Sequence, residues 1–299
     1  MFQSDLLRDK RILITGGGTG LGRAMAQRFM GLGASLYVCG RRKDVLKQTE
    51  SELAHLNGGT IFSIPCDVRD RESVEQMIEN VWREGALDVV VNNAAGNFQA
   101  RTEELSPRAF EAVIGIVLTG TPQRNLACGR RWLKESLPGT VLNISATYAP
   151  TGSAYVVPSA IGKAGVEALR RSLAVEWGGR GIRMNAIAPG PIRTEGALSR
   201  VLPRPDLEQA AIERNPLGRF GTLEELANLA TFLISDGSGY IHGEVVRMDG
   251  GEWLQGAGEF SALGRLLKEE DWRALRPKEK AGGLKGKDPI ARRESAGTS

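Results

Sequence analysis

The sequence predicts an α/β protein: one doubly wound domain built on a seven-stranded parallel sheet. Two observations lead there. Short apolar runs rich in β-branched residues recur at strand length, and the segments between them repeat apolar residues at i, i+3, i+4 and i+7, the signature of a helix face. In order, the strands are "RILIT" (11–15), "SLYVC" (35–39), "TIFSIP" (60–65), "DVVVNN" (88–93), "TVLNIS" (140–145), "IRMNAIAP" (182–189) and "EVVRMD" (244–249). Their apolar character is near continuous rather than alternating, as expected of strands covered on both faces. Helical spacing is clearest in "GLGRAMAQRFMGLG" after the first strand and in "VEALRRSLAVEW" before the sixth. Strand and helix in alternation imply right-handed crossovers that put helices on both sides of the sheet. No internal repeat or Pro/Gly-rich linker interrupts residues 1–275, which read as one domain.

Composition narrows the classes of function. Of the 299 residues, 41% are hydrophobic, enough for a substantial core. No run approaches the ~20 apolar residues of a spanning helix, and "MFQSDLLRDK" lacks the apolar stretch of a secretion signal. Cys39, Cys66 and Cys128 are odd in number and widely spaced, which suits neither a disulfide framework nor a metal site. No metal is expected. Residues 276–299 hold seven Lys/Arg against three Asp/Glu, equal to the whole chain's net +4, so residues 1–275 carry no net charge. The basic stretch has no aromatic residue and no apolar period, and reads as a solvated tail rather than a nucleic-acid arm.

The first strand runs into "TGGGTGLG" (Thr15 to Gly22) and then a helix. Glycine lets the backbone turn sharply and approach a pyrophosphate, which the amides and positive end of the next helix hold. Gly16, Gly17, Gly18, Thr19, Gly20, Leu21 and Gly22 are therefore candidate cofactor contacts. At the end of strand two, where an acidic residue would hold the ribose hydroxyls of NAD, the chain has Arg41 and Arg42. A guanidinium pairs a 2′-phosphate bidentately, so NADPH is the expected cofactor.

These features, with "NNAAG" (92–96) after strand four and "PGPI" (189–192) after strand six, resemble the short-chain dehydrogenase/reductase family over roughly residues 8–255. The resemblance implies a single Rossmann-type domain and commonly a homotetramer. It implies adenine near Asp67 and Val68, a contact from Asn93, ribose and nicotinamide held by Lys163, and Pro189, Gly190, Pro191 and Ile192 against the carboxamide.

Two departures from the family bear on chemistry. Its usual members pair a tyrosine with a lysine four residues later on one helix face, the lysine easing proton transfer from the phenol to an alkoxide. Here "VVPSAIGKAG" (156–165) puts Ser159 in that place, and Val117 stands where the family usually has an asparagine that anchors a proton relay. Three explanations compete: a degenerate relative that kept only its dinucleotide site, substitution by Tyr155, or substitution by Tyr148 on the loop after strand five. Tyr155 lies eight residues before Lys163, ~12 Å along a helix axis, which is too far to share its role.

A closer resemblance favours Tyr148. "NNAAGNF" (92–98), "TYAPTGSAYVVPSAIGKAGVEAL" (147–169), "EWGGRGIRMNAIAPGPIRTEGALSR" (176–200) and "GTLEELANLATFL" (221–233) are similar to the 2,4-dienoyl-CoA reductases of that family, particularly the mitochondrial type. Those enzymes also lack the tyrosine before the lysine and use one on the preceding loop. Hydride addition to a dienoyl thioester generates an extended enolate whose oxygen needs donors rather than a proton. The resemblance thus implies Tyr148 and Asn97 as the donors, Lys163 as a cofactor-orienting charge, Ser159 lining the site, and Arg69, Phe98, Ser106 and Arg200 as contacts to an acyl-CoA substrate. Ser106 also reads as the N-cap of "SPRAF", and Arg69 and Arg200 as surface ion-pair partners. "GTS" is no peroxisomal address, and the glycine motif starts too early for a typical transit peptide, so a cytoplasmic setting is expected.

Overall fold

The computed structural model describes residues 2–55, 59–194, 204–258, 260, 261 and 263–275. It contains the predicted seven strands: β1 (Arg11–Thr15), β2 (Ser35–Gly40), β3 (Thr60–Pro65), β4 (Val89–Asn92), β5 (Gly139–Ile144), β6 (Ile182–Pro189) and β7 (Val245–Met248). All pair in parallel, in the order β3-β2-β1-β4-β5-β6-β7. Successive side chains of a strand point to opposite faces, and the core divides accordingly. Ile12 and Ile14 join one apolar cluster with Val89, Val91 and Ile187, while Leu13 joins the other with Val90, Val141 and Met184.

Helices α1 (Gly20–Met30), α2 (Lys43–Leu53) and α8 (Leu223–Ile234) cover the first face through Met25, Phe29, Leu46, Leu226 and Leu233. On the second, α3 (Arg71–Glu84), α5 (Gly120–Glu135) and α6 (Val157–Gly178) contribute Met77, Ile78, Trp132, Leu173 and Trp177. The remaining helices are α4 (Pro107–Ile114), α7 (Pro205–Arg214), α9 (Glu252–Ala257), α10 (Leu263–Leu266) and α11 (Glu269–Leu275). Ser106 caps α4 as expected, accepting from the amide of Ala109 at 3.2 Å.

The chain divides into two compact units, Met1–Gln255 and Gly256–Ser299. The sheet lies entirely in the first. Residues 256–275, which the sequence assigns to the main domain, fall in the second, and the basic tail of residues 276–299 lies outside the described residues.

The order reverses at β1, whose neighbours β2 and β4 start crossovers running opposite ways, and a crevice opens at the carboxyl ends of such a pair. Hydrogen bonds fix its lips. Thr15 Oγ1 donates to Val91 O at 3.3 Å and accepts from the amides of Asn93 and Ala94 at 3.1 and 3.0 Å. Asn93 Nδ2 donates to Thr15 O at 2.9 Å and Gly16 O at 3.2 Å. The chain then turns through Gly16, at φ +66°, and α1 packs so tightly on the turn that a Cβ on Gly22 would collide with the carbonyl of Gly16. The Gly22→Ala protein is expected to lose roughly 1–3 kcal/mol of stability, the usual cost of overpacking, read as a fall of several degrees in thermal midpoint. An unchanged midpoint would mean that the turn yields.

Candidate active site

A crevice of about 620 Å³ lies over the β1/β4 switch, lined by Gly16, Thr19, Arg41, Val68, Gly190 and Ile192 among others. A larger groove of about 1020 Å³ runs behind the glycine turn between α1, α2 and α8, but it holds an ion pair of Arg23 with Glu52 and none of the expected chemistry beyond the turn itself. The crevice suits a dinucleotide. Side chains are absent at Gly16, Gly18 and Gly20, and the first turn of α1 has neither an acidic residue nor a side-chain cap, so its amides face an incoming anion. Gly17 and Gly22 act from behind: a Cβ on Gly17 would stand 2.7 Å from Val38 Cγ1, so their smallness shapes the turn rather than its lining. On the far wall, Gly190 N donates to Met248 O and Gly221 N to Pro191 O, which pins the 189–192 loop over β6 and β7.

Exposed Arg41 stands at the mouth, and its charge helps keep the Asp67 carboxyl below the usual carboxylate range. The larger cause is Arg69, whose Nη2 lies 2.5 Å from Asp67 Oδ2 and whose Nε donates to both carboxylate oxygens. The structure thus gives Arg69 the ion-pair role that the sequence had left open, with its aliphatic part lying over Gly115. Phe98 is 41% exposed, and Arg200 lies outside the described residues.

Of the four residues expected at the catalytic centre, Tyr148, Ser159 and Asn97 lie within hydrogen-bonding distance in series, and Lys163 lies one turn beyond Ser159 on α6. Buried Ser159 sits in the first turn of α6, with Lys163 one turn on. Lys163 Nζ donates to the carbonyl of Ile144 at the tip of β5, and the loop leaving that tip carries Tyr148 back over Ser159. Tyr148 Oη and Ser159 Oγ are 3.0 Å apart, and Asn97 Nδ2 donates to Tyr148 Oη at 3.4 Å. A phenol oxygen has two lone pairs. Asn97 supplies a donor to one of them; between Tyr148 and Ser159 either hydroxyl can donate, and with Ser159 as the donor the Tyr148 proton points at a ligand. Burial raises the Tyr148 pKa and the bond with Ser159 partly offsets it, so the phenol keeps its proton. Tyr155 is instead 61% exposed, in left-handed backbone at φ +66°, with its carbonyl taken by Ala100 N.

Three features escaped the sequence. The segment Gly115–Thr119 is a π-turn between α4 and α5, a form that frequents functional sites. Glu167, one turn after Lys163, is buried and accepts from Ser145 Oγ at 2.6 Å. Arg124 is fully buried on α5. The only signal for the last two was a charged residue falling in an apolar stripe.

Burial first, then the charge of Arg124, pushes the Lys163 ammonium down to about 8 from 10.5, with Glu167 opposing. Because the folded amine resists protonation, its destabilising contribution is fully present below about pH 8 and fades as pH rises towards 10.5. Relative to Lys163→Met, the wild type should therefore gain on the order of 3 kcal/mol of unfolding free energy over that interval. A pH-independent difference between the two would contradict a buried, titrating lysine.

Comparison with known proteins agrees with this geometry. Residues 16–252 match the family described as "Enoyl-(Acyl carrier protein) reductase". A protein of Bacillus subtilis (strain 168) named probable 2,4-dienoyl-CoA reductase [(2E)-enoyl-CoA-producing] is 44% identical over 250 residues, 83% of this chain and 98% of that protein. A Caenorhabditis elegans protein named probable 2,4-dienoyl-CoA reductase 3 [(3E)-enoyl-CoA-producing] is 41% identical over 250 residues, 82% of this chain and 81% of its own. Among solved structures, a putative NAD(P) dependent gluconate 5-dehydrogenase from Beutenbergia cavernae with bound NADP superposes with a TM-score of 0.78 at 31% identity, covering 84% of this chain and 99% of that one. A glycine turn over the β1/β4 switch, a lysine tied to the tip of β5 and similarity along most of the length have one common explanation: the chain belongs to the short-chain dehydrogenase/reductase family of oxidoreductases.

Proposed function

We propose that the protein reduces 2,4-dienoyl-CoA thioesters to 3-enoyl-CoA with NADPH, a step in the oxidation of unsaturated fatty acids. The observation that carries this reading is the Tyr148 hydroxyl, 3.0 Å from the Ser159 hydroxyl and 3.4 Å from the Asn97 amide that donates to it, in a chain whose Ser159 stands where a ketone reductase would need a proton-transferring tyrosine. Reduction of a ketone leaves an alkoxide that must be protonated where it forms. Addition of hydride to the δ carbon of a dienoyl thioester instead spreads charge onto the thioester oxygen, and preorganised neutral donors stabilise it. Tyr148 donates its proton as a hydrogen bond, the second Asn97 N–H is available for another, and solvent protonates the α carbon.

When bound, the nicotinamide cofactor supplies the hydride. Lys163 would hold its ribose, Gly16 to Gly22 its pyrophosphate, and Arg41 the 2′-phosphate that distinguishes NADPH. Phe98 and Arg69 serve as substrate contacts in this reading, with Arg69 leaving Asp67 for a phosphate of the CoA. The homotetramer expected from the family resemblance belongs to the same proposal. The (2E) and (3E) products named for the two relatives make the final position of the double bond the feature to measure first.

Two substitutions test it. Tyr148→Phe removes one oxyanion donor and keeps the ring, so kcat with hexadienoyl-CoA should fall by roughly 10²–10³ with cofactor affinity intact, while Tyr155→Phe should change little. Full activity in Tyr148→Phe would move the chemistry elsewhere. Arg41→Asp should weaken NADPH binding far more than NADH binding by fluorescence titration, and equal losses would overturn the choice of cofactor.

A further inference from the structure

Lys163 and Glu167 stand one turn apart on the same face of α6, and they reach two consecutive residues at the tip of β5. Lys163 Nζ donates to the carbonyl of Ile144, the last residue of the strand. Glu167 Oε1 accepts from the hydroxyl of Ser145, the next residue, at 2.6 Å. The peptide that joins Ile144 to Ser145 is therefore held at every polar group it offers, because its N–H donates to Ile187 O on β6 at 2.7 Å. A trans peptide is planar, so fixing the N–H and the side chain beside it decides where the carbonyl points. It points at Lys163.

A carboxylate is a costly group to put there. Glu167 and Ser145 are both buried, and a charge out of water is tolerated only where its oxygens find partners. Oε1 has the Ser145 hydroxyl, while Oε2 faces Arg171 at 3.8 Å, a guanidinium on a side chain that is 61% exposed. Arg170, three residues on, gives its Nη1 to the Gly243 carbonyl instead. A neutral side chain would serve the packing of α6 better. What the carboxylate adds is a hydrogen bond of the charge-assisted kind, about twice as strong as a neutral one, placed on the residue that follows the lysine's partner. Tyr148 lies three residues past Ser145 on the loop that leaves the strand, and it meets Ser159 of the same helix at 3.0 Å.

We propose that Glu167 is a positioning residue of the site: by holding the Ser145 hydroxyl it keeps the Ile144 carbonyl aimed at Lys163, and so places the lysine amine where the cofactor ribose is to be held. It acts through Ser145 and not on cofactor or substrate. The inference rests on Lys163 holding the cofactor, as the proposed function assumes, and not on which thioester is reduced.

The test reads affinity for whichever of NADPH and NADH binds, by nicotinamide fluorescence, together with the thermal midpoint, in Lys163→Met, Glu167→Leu, Ser145→Ala, Glu167→Gln and the double variant Ser145→Ala/Glu167→Leu. Lys163→Met should weaken binding. Glu167→Leu and Ser145→Ala should each weaken it by roughly ten-fold, the order of one lost hydrogen bond to a charged group. The double variant should do no worse than the weaker of the two, since both remove the same contact. Glu167→Gln keeps an acceptor oxygen and should recover all but about two-fold of the affinity. A pair that only packs would lower the midpoint and leave affinity as it was, and that result overturns the proposal. Additive losses in the double variant, or Glu167→Gln as weak as Glu167→Leu, overturn it as well. Where a single variant fails to fold, the double variant, which leaves neither group without its partner, decides: wild-type affinity in it, or its own failure to fold, overturns the proposal. Unchanged affinity in Lys163→Met refutes the cofactor placement of the proposed function and this inference with it, whereas a loss there with none in Glu167→Leu refutes this inference alone. A protein that shows the expected pattern yet reduces no dienoyl thioester refutes the proposed reaction and leaves the role of Glu167 standing.

Discussion

The contact between the Lys163 ammonium and the carbonyl of Ile144 governs the geometry of the site. It ties α6 to the tip of β5 and so fixes where the first turn of that helix lies. Ser159 is on that turn, and Tyr148 is four residues beyond Ile144 on the loop that leaves the strand. Their 3.0 Å approach follows from this one anchor. An ammonium out of water must have its hydrogen bonds met within the fold, and an unpartnered carbonyl at a strand tip carries a similar penalty. The carbonyl takes one of the three ammonium donors, and the ammonium gives the carbonyl a partner.

One of the two departures from the family pattern, Val117, packs against the helix that carries the other. Val117 belongs to the π-turn, and Gly162 precedes Lys163 on α6. A Cβ on Gly162 would stand 2.8 Å from Val117 Cγ1, so the valine fills the space that the glycine leaves. Leu118 presses on Gly165 in the same way. Apolar packing from the π-turn thus lies against α6 on either side of Lys163. A buried lysine and a serine in place of the tyrosine suit the proposed reaction, in which the enzyme stabilises an oxyanion and leaves protonation to solvent.

The strands were legible because burial on both faces leaves long β-branched runs, and β1, β3 and β6 occupy the predicted residues. The strands read too long have a local cause. Asn93 gives its amide to the Thr15 hydroxyl, and Glu244 gives its amide to the Asn185 side chain while its carbonyl still accepts from Ala186 N, so β4 ends at Asn92 and β7 begins at Val245. The site was legible only in part. The glycine turn and Arg41 follow from chemistry at known places on the fold, whereas Tyr148 as the donor came from resemblance, since a loop tyrosine carries no periodic signal. Arg124 and Glu167 lie on helix faces whose pattern reads as core, where a charge looks like an error in the stripe rather than a feature of the site. The π-turn packs against α6, Val117 on Gly162 and Leu118 on Gly165, contacts between segments distant in sequence.

The central claim is that hydride enters a conjugated thioester at its far end while Tyr148 holds the oxygen. Its most direct test is to follow the label from NADPH carrying deuterium at the transferred position into the product of hexadienoyl-CoA. The account requires deuterium at the δ carbon and a product double bond between the β and γ carbons, with no turnover of a 3-ketoacyl-CoA. Deuterium at the β carbon, or ready reduction of the ketone, would contradict it.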